Sequence, residues 1–346
     1  MNLSFIWYII LEQKTLTEDL PLKGFYKGLL AASGLFAAYV VGTGVTVYVN
    51  AMKRSSKHPD RNYDPDEEKD YIVPGESSSA YRHGAYNYNI WWNTRDTEKV
   101  EIMTFDGLRL RGGYLPAEGG NADRIALVVH GHLCCAGEEG FISKMFHDNG
   151  YDVIAIDQRS HGKSDGDSIT MGRLEASDVV EWMRYIADRF PEKKIIAYGA
   201  SMGGNTVLRT TDRALPKQVV CVIDDCGYCR ADEAIMMTLK HDFPGLIFKG
   251  AVNGVCSLTY RILQGERIRK TDACGPVSRA KVPVLFIHGT DDSIVDCNDS
   301  RKLYSLHPGK KKLIINDDVK HNCSFFADRE KYTEEVMDFI DSCCAE

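Results

Sequence analysis

The chain has no surplus of basic charge. Its 346 residues carry 42 Lys and Arg against 49 Asp and Glu, a formal net charge of −7. A nucleic-acid binder needs a basic face, and this balance argues against one. There is no internal repeat, which argues against a solenoid or propeller. There is no cysteine framework either. The eleven cysteines are odd in number, and Cys134-Cys135 and Cys343-Cys344 are adjacent pairs that rarely bridge to each other. The pattern is read as reduced thiols filling small core sites. Cys226-Gly-Tyr-Cys229 has redox spacing after an apolar strand but is read as structural. Zinc is not expected, because no second pair has matching spacing. No cofactor is expected. With 44% hydrophobic and 26% charged residues, the composition is that of a globular protein. The length suggests about two domains, or one large α/β domain with an insertion.

Charge is also missing locally. Between Lys27 and Lys53 lie 25 consecutive uncharged residues. Residues 28–49 alone would reach ~33 Å as a helix, enough to cross a hydrocarbon core. This segment is expected to be a single transmembrane helix, starting too late and running too long for a cleaved signal peptide. The protein is therefore expected at a membrane, on an undecided side. Lys14, Lys23 and Lys27 precede the span, and Lys53, Arg54, Lys57 and Arg61 follow it. Asn2 to Leu11 is a shorter apolar run, suited to an interface rather than a crossing. Residues 1–27 form an N-terminal segment, and residues 50–95 read as a linker with little apolar periodicity. Trp91-Trp92 is where the chain is expected to first pack on the folded body.

Beyond Thr97 short apolar runs alternate with helical patterns. Val100–Thr104 and Leu108–Leu115 flank the turn signal Asp106-Gly107. Then follow Arg124–His130, Asp152–Asp157, Lys194–Tyr198, Gln218–Asp224, Pro283–His288 and Lys312–Asn316. Near-continuous apolar strands separated by helices indicate a mostly parallel, eight-stranded sheet covered on both faces. Residues 228–281 interrupt this alternation and are expected to form a helical cap with an apolar face, within a domain of residues 96–346.

Gly199-Ala-Ser201-Met-Gly203 follows a strand and opens a helix, the context that a nucleophile elbow requires. Small residues flank Ser201 because the turn is sharp. A serine nucleophile needs a base, and the base needs an orienting carboxylate, in the chain order Ser, Asp, His. The loop after the Pro283–His288 strand offers Asp291 and Asp292, with Asp296 a distant third. His321 lies in the loop before the last helix. The oxyanion of an acyl-transfer reaction needs two backbone N–H groups. Met202, after the nucleophile, supplies one, and the loop His130-Gly-His132-Leu supplies the other, with the His132 backbone the natural candidate. His130 reads as structural support for that loop.

These segments carry a resemblance. His130-Gly-His-Leu-Cys-Cys135, Asp157-Gln-Arg-Ser-His-Gly-Lys-Ser-Asp-Gly166, Gly199-Ala-Ser-Met-Gly-Gly204 and His288-Gly-Thr-Asp-Asp-Ser-Ile-Val295 resemble the α/β-hydrolase superfamily. The chain looks most like its bacterial membrane-anchored members, a serine-aminopeptidase/lysophospholipase-like group. Phe105–Leu110, Met171–Glu175, Asp225–Tyr228 and Asp328–Tyr332 are further likenesses, and together they span about residues 96–341. The resemblance implies an α/β-hydrolase fold, with Asp292, the fifth residue of its segment, as the acid. It implies Ser201 as nucleophile and His132 at the first oxyanion position. The expectation is a membrane-anchored serine hydrolase that takes a small-molecule ester or acyl substrate and needs no metal. Peptidase, amidase or acyltransferase chemistry on the same residues is the enzymatic alternative. A non-catalytic, membrane-tethered binding protein is the other.

Overall fold

The computed structural model describes residues 22–53 and 88–345. The run Asn2 to Leu11 and most of the expected linker lie outside the described residues. Near-continuous apolar segments form strands β1 (Glu98–Met103), β2 (Arg109–Leu115), β3 (Arg124–Val129), β4 (Asp152–Ile156), β5 (Lys194–Ala200), β6 (Val219–Asp225), β7 (Val284–Gly289) and β8 (Lys311–Asn316). They make one sheet in the order β1-β2-β4-β3-β5-β6-β7-β8. The β1–β2 and β2–β4 pairs are antiparallel and all the others parallel. Asp106-Gly107 turns the β1–β2 hairpin, with Gly107 at φ +83°, a conformation that glycine adopts at little cost.

The apolar helix α1 runs Leu22–Met52, longer than the expected residues 28–49. Its end is not free. Val40, Gly44, Tyr48 and Met52, four residues apart, form one stripe against the body, with Val40, Gly44, Tyr48 and Met52 all buried. The Met52 carbonyl accepts from Ile169 N at 2.7 Å, so the chain is still ordered at the start of the expected linker. At the other end of that linker, residues 88–93 are helical and Trp92 joins the core.

Parallel strands must be covered on both faces, and they are. One face holds α2 (Gly140–Asp148), through Phe141, Ile142, Met145 and Phe146, and the C-terminal helix Arg329–Cys344, through Tyr332, Val336, Phe339 and Ile340. The other face holds α3 (Glu175–Arg189), where Val179, Trp182, Met183 and Ile186 recur at helical spacing and are buried. Val207 and Leu208 of α4 (Met202–Leu208) join the same cluster. A buried ion pair ties this face to the hairpin. Arg159 binds Asp178 through Nε at 2.6 Å and Nη2 at 2.7 Å, and reaches Asp106 at 2.9 Å. A bidentate guanidinium fixes direction as well as distance.

Between β6 and β7 the cap is built from α5 (Ala231–Asp242), α6 (Lys249–Gln264) and a short helix Cys274–Ser278. Here the thiol expectation is corrected. Cys229 and Cys274 form a disulfide, and the other nine cysteines are thiols. Cys226 and Cys229 therefore do not pair with each other. The bridge joins the two ends of the cap, which lie 45 residues apart in sequence but adjacent in space. Sequence spacing could not reveal this, because Cys274 stands in no motif.

Candidate active site

The carboxyl ends of β3, β5, β6 and β7 stop at one level, through register pairs such as Val129↔Gly199, Ala200↔Asp225 and Asp225↔Ile287. The chemistry-bearing loops all leave from this edge. Ser201 sits between β5 and α4 with φ 54° and ψ −113°, a strained conformation for a non-glycine residue. The neighbours must be glycine. A Cβ on Gly199 would overlap the Gly203 carbonyl oxygen, and one on Gly203 would overlap the Val129 carbonyl. The strained turn is held from β6, where the Asp225 carbonyl accepts from Ser201 N at 2.8 Å. Asp225 is in turn fixed by the hydroxyls of Tyr332, donating at 2.7 Å, and Tyr198, at 3.2 Å.

The three expected side chains are brought together. His321 Nε2 lies 2.9 Å from Ser201 Oγ, and His321 Nδ1 lies 2.6 Å from Asp292 Oδ2. Of the two candidate acids, Asp292 is buried at 8% exposure, whereas Asp291 is exposed. Asp296 caps the helix Cys297–Leu306 instead, accepting from Asn298 N. Both Asp292 oxygens are saturated. Oδ1 accepts from Ile294 N at 2.8 Å and Val295 N at 2.9 Å, while Oδ2 takes His321 and His288. Burial alone would raise its pKa. The charge on His321 and hydrogen bonds from His288 and His321 outweigh burial and hold it well below the usual carboxylate range.

His288 is a site residue that its place at a strand end does not announce. It is fully buried, with Nε2 3.0 Å from Asp292 Oδ2 and Nδ1 2.6 Å from Ser300 Oγ. The pattern fits a ring that donates from Nε2 and accepts the Ser300 hydroxyl proton at Nδ1. Its sequence signal is no more than the four-residue spacing to Asp292.

The loop after β3 lies against Ser201, with the Gly131 backbone beside its Cβ. Two histidines brace it. His130 accepts Gln158 N at Nε2, 3.0 Å away, and Leu133 N reaches His161 Nε2 at 3.2 Å. His161 stands in the motif Asp157–Gly166, but nothing in that motif signals this role. The His132 side chain does something else. Its Nε2 lies 2.6 Å from the Ala51 carbonyl, in the last turn of α1. Burial pulls its pKa down, so the ring is neutral at pH 7 and donates this bond. Met202 opens α4, so its N–H has no intrahelical acceptor.

Among the described residues, two groups of side chains have metal-ligand types within 4.8 Å of one another: Cys226, Asp292, His321, and Cys229, Asp272, Cys274. The first shares Asp292 and His321 with the hydrogen-bonded set already described. Burial, together with nearby Asp225, pushes the Cys226 thiol up, which keeps it protonated. The second has both sulfurs in the disulfide. A cavity of about 680 Å³ lies behind the β3 loop, lined in part by Trp92, Arg111, Cys135 and Lys163, and does not include Ser201.

Known proteins agree with this architecture. Residues 120–247 match the family model for serine aminopeptidase, S33. The chain is 28% identical over 253 residues to YfhR of Escherichia coli, an uncharacterised protein, covering 70% of this chain and 80% of that one. It is 25% identical over 205 residues to the lysophosphatidylserine lipase ABHD12 of Danio rerio, covering 55% and 48%. Among solved structures, the esterase Pf2001 of Pyrococcus furiosus superposes with a TM-score of 0.58 at 23% identity, covering 71% of this chain and 92% of that one. The protein is an α/β hydrolase in fold, as its sequence motifs implied. It carries the helix Leu30–Met52, which is long and apolar enough to cross a membrane.

Proposed function

We propose that the protein is a membrane-anchored serine hydrolase of carboxylic esters, with Ser201 as nucleophile, His321 as base and Asp292 as the orienting acid. The observation that carries this reading is the unbroken hydrogen-bond chain from Asp292 through His321 to Ser201 Oγ. In the reaction Ser201 Oγ attacks the ester carbonyl carbon while its proton passes to His321 Nε2. The carbonyl oxygen becomes an oxyanion and is received by the backbone N–H groups of Met202 and His132. Collapse breaks the bond to the alcohol, which leaves with the proton from His321. Water, deprotonated by the same ring, then attacks the acyl-enzyme and restores Ser201. Asp292 stays ionised throughout and stabilises the imidazolium.

Ser201→Ala should abolish labelling by a fluorophosphonate probe. It should lower ester turnover by on the order of 10⁴ or more while leaving the fold intact. Undiminished labelling of the variant would remove Ser201 from the mechanism. The matched aminopeptidase model favours a second substrate class, amides, on the same residues. Turnover of a peptide amide with kcat/KM equal to or above that of the matched ester would move the assignment to a peptidase.

A further inference from the structure

The apolar surface of this molecule does not end at α1. The first residue of α6 is preceded by a tip, residues 243–248, that reads Phe-Pro-Gly-Leu-Ile-Phe. Phe243, Ile247 and Phe248 are exposed there by 54%, 61% and 56%. This tip lies beside α1, where the Phe36 and Phe248 rings meet edge to face with centroids 4.7 Å apart. From that point the two helices run side by side back to the catalytic body. Gly44 sits against Val252 and Val255, where a side chain would not fit. Near the base, Gln264 Nε2 donates to the Tyr48 hydroxyl at 3.1 Å. The outward side of α6 is apolar too, through Leu258 and Ile262, and that of α1 through Tyr39, Val41, Val45 and Val49.

Length decides what this surface meets. Helix α1 has 31 residues, ~46 Å at 1.5 Å each, against a hydrocarbon core of ~30 Å. The excess of ~16 Å corresponds to the stripe from Val40 to Met52 that is docked on protein. Phe36 lies 16 residues above Met52, so the tip stands ~24 Å out along the helix that the bilayer would surround.

The tip is also prepared for a medium without water. Two charged residues border it: Asp242 meets His241 Nδ1 at 2.7 Å, and Lys249 turns its ammonium back onto the carbonyls of Pro244 at 2.9 Å and Leu246 at 2.8 Å. An ammonium facing water has no need of backbone acceptors, whereas one in a low-dielectric layer must find them. Lys240 is exposed one turn before the tip, and a further group of exposed cations, Arg261, Arg267 and Arg269, stands near the base of the cap. Arg261 is ~20 Å along α6 from Phe248, far enough to stand at the headgroups while the tip lies in the acyl layer.

We propose that the cap tip and the part of α1 beside it, around Phe36 and Tyr39, enter one lipid bilayer together, so that the partner of this surface is the acyl-chain layer of a membrane and the cap is seated in it. The inference rests on reading α1 as membrane-seated. The full-length protein, reconstituted in phosphatidylcholine vesicles with a fraction of phosphatidylglycerol, tests it. Photoreactive benzoylphenylalanine replaces Phe36, Ile247 or, as a control on the far side of the domain, Glu334. Fluorophosphonate labelling of each variant verifies an intact site. Lipid adducts at positions 36 and 247 but not 334 are the expected result. Adducts at 36 without adducts at 247 overturn the seated cap and leave the anchor standing. Adducts at neither position remove the membrane reading of α1 and this inference with it. A second readout uses the double variant Ile247→Asp and Phe248→Asp. It should raise KM for a vesicle-borne lipid ester ~tenfold or more while leaving a short water-soluble ester unchanged. Equal effects on both substrates would assign the tip a structural role and overturn the proposal.

Discussion

The floor of the site and its roof are held by different forces. The floor is the set of loops at the carboxyl edge of the sheet, held by directed hydrogen bonds. Ser201 N–H rests on the Asp225 carbonyl, Asp292 receives four donors, and His321 spans the gap between them. The roof is α1, α5 and α6, joined mainly by apolar packing of Val40, Tyr48 and Met52 with Val252, Cys256 and Tyr260. Hydrogen bonds fix direction to within tenths of an ångström, whereas apolar burial fixes only area. The comparison implies that rate should depend on the floor and that substrate choice should depend on the roof.

The sharpest test of the floor is the pair of neighbouring acids. Asp292→Asn removes the orienting charge and leaves His288 and His321 facing an amide. Ester turnover should fall by on the order of 10²–10⁴. Asp291→Asn, one residue away on the surface, should change it less than about threefold. Comparable losses would show that the floor is not specified residue by residue. The sign of a stability effect follows from the depressed pKa of Asp292. Its contribution is full at neutral pH and is lost only as pH falls below the ordinary carboxylate range.

This division also decides how much of the molecule is legible in its sequence. The floor is local: a strained turn demands its glycines, and a strand end places the residue that follows it. Ser201, the Asp291-Asp292 pair, His321 and the succession of strands along the chain therefore show as short motifs, and the family resemblance picks Asp292 from the pair. His288 is harder, because its role depends on Ser300, twelve residues on, coming back beneath the ring. The roof is only half legible. The apolar runs of α1 and α6 announce helices, but nothing in them says that Gly44 meets Val255 or that Ala51 meets His132. Those contacts join residues 81 or more apart in sequence and carry no motif. Taken by itself, the apolar run therefore reads as separable from the catalytic body.

The docked end of α1 gives a way to break the comparison. If the roof contributes only area, removing residues 1–53 should change substrate preference and nothing else. The structure points to a larger effect, since the deletion takes Val40, Tyr48 and Met52 out of the cluster that holds Ile169, Met171 and Met202 and removes the acceptor of His132. Turnover of a short soluble ester should fall ~tenfold or more, assayed in detergent. Unchanged turnover would make α1 an anchor alone. A finer cut at the same joint is His132→Ala, which keeps the backbone N–H but loses the bond to Ala51. It should lower kcat ~tenfold, the worth of one buried hydrogen bond, and His132→Gln should recover part of the loss. A drop in KM for long-chain esters without a change in kcat would assign the contact to the roof instead.

The smallest expected effect lies beneath the floor, at Glu139. This side chain is 1% exposed, behind the loop after β3, and burial with nearby Asp225 and Glu138 pushes its pKa up to about 8. Its proton is therefore kept in the folded protein but lost in the unfolded chain above the ordinary glutamate value of 4.5. Between those limits the folded state binds more protons, so stability falls as pH rises. The contribution is complete below about pH 4.5 and gone once pH passes about 8. Glu139→Gln replaces the neutral acid by a neutral amide of similar shape. It should flatten this slope and leave the variant on the order of 1–3 kcal/mol more stable than the parent at pH 8, with little difference at pH 5. Denaturant unfolding at the two pH values measures it. Parallel stability curves for parent and variant would show that Glu139 is ionised in the folded protein, and that the floor tolerates a buried charge beside the loop after β3.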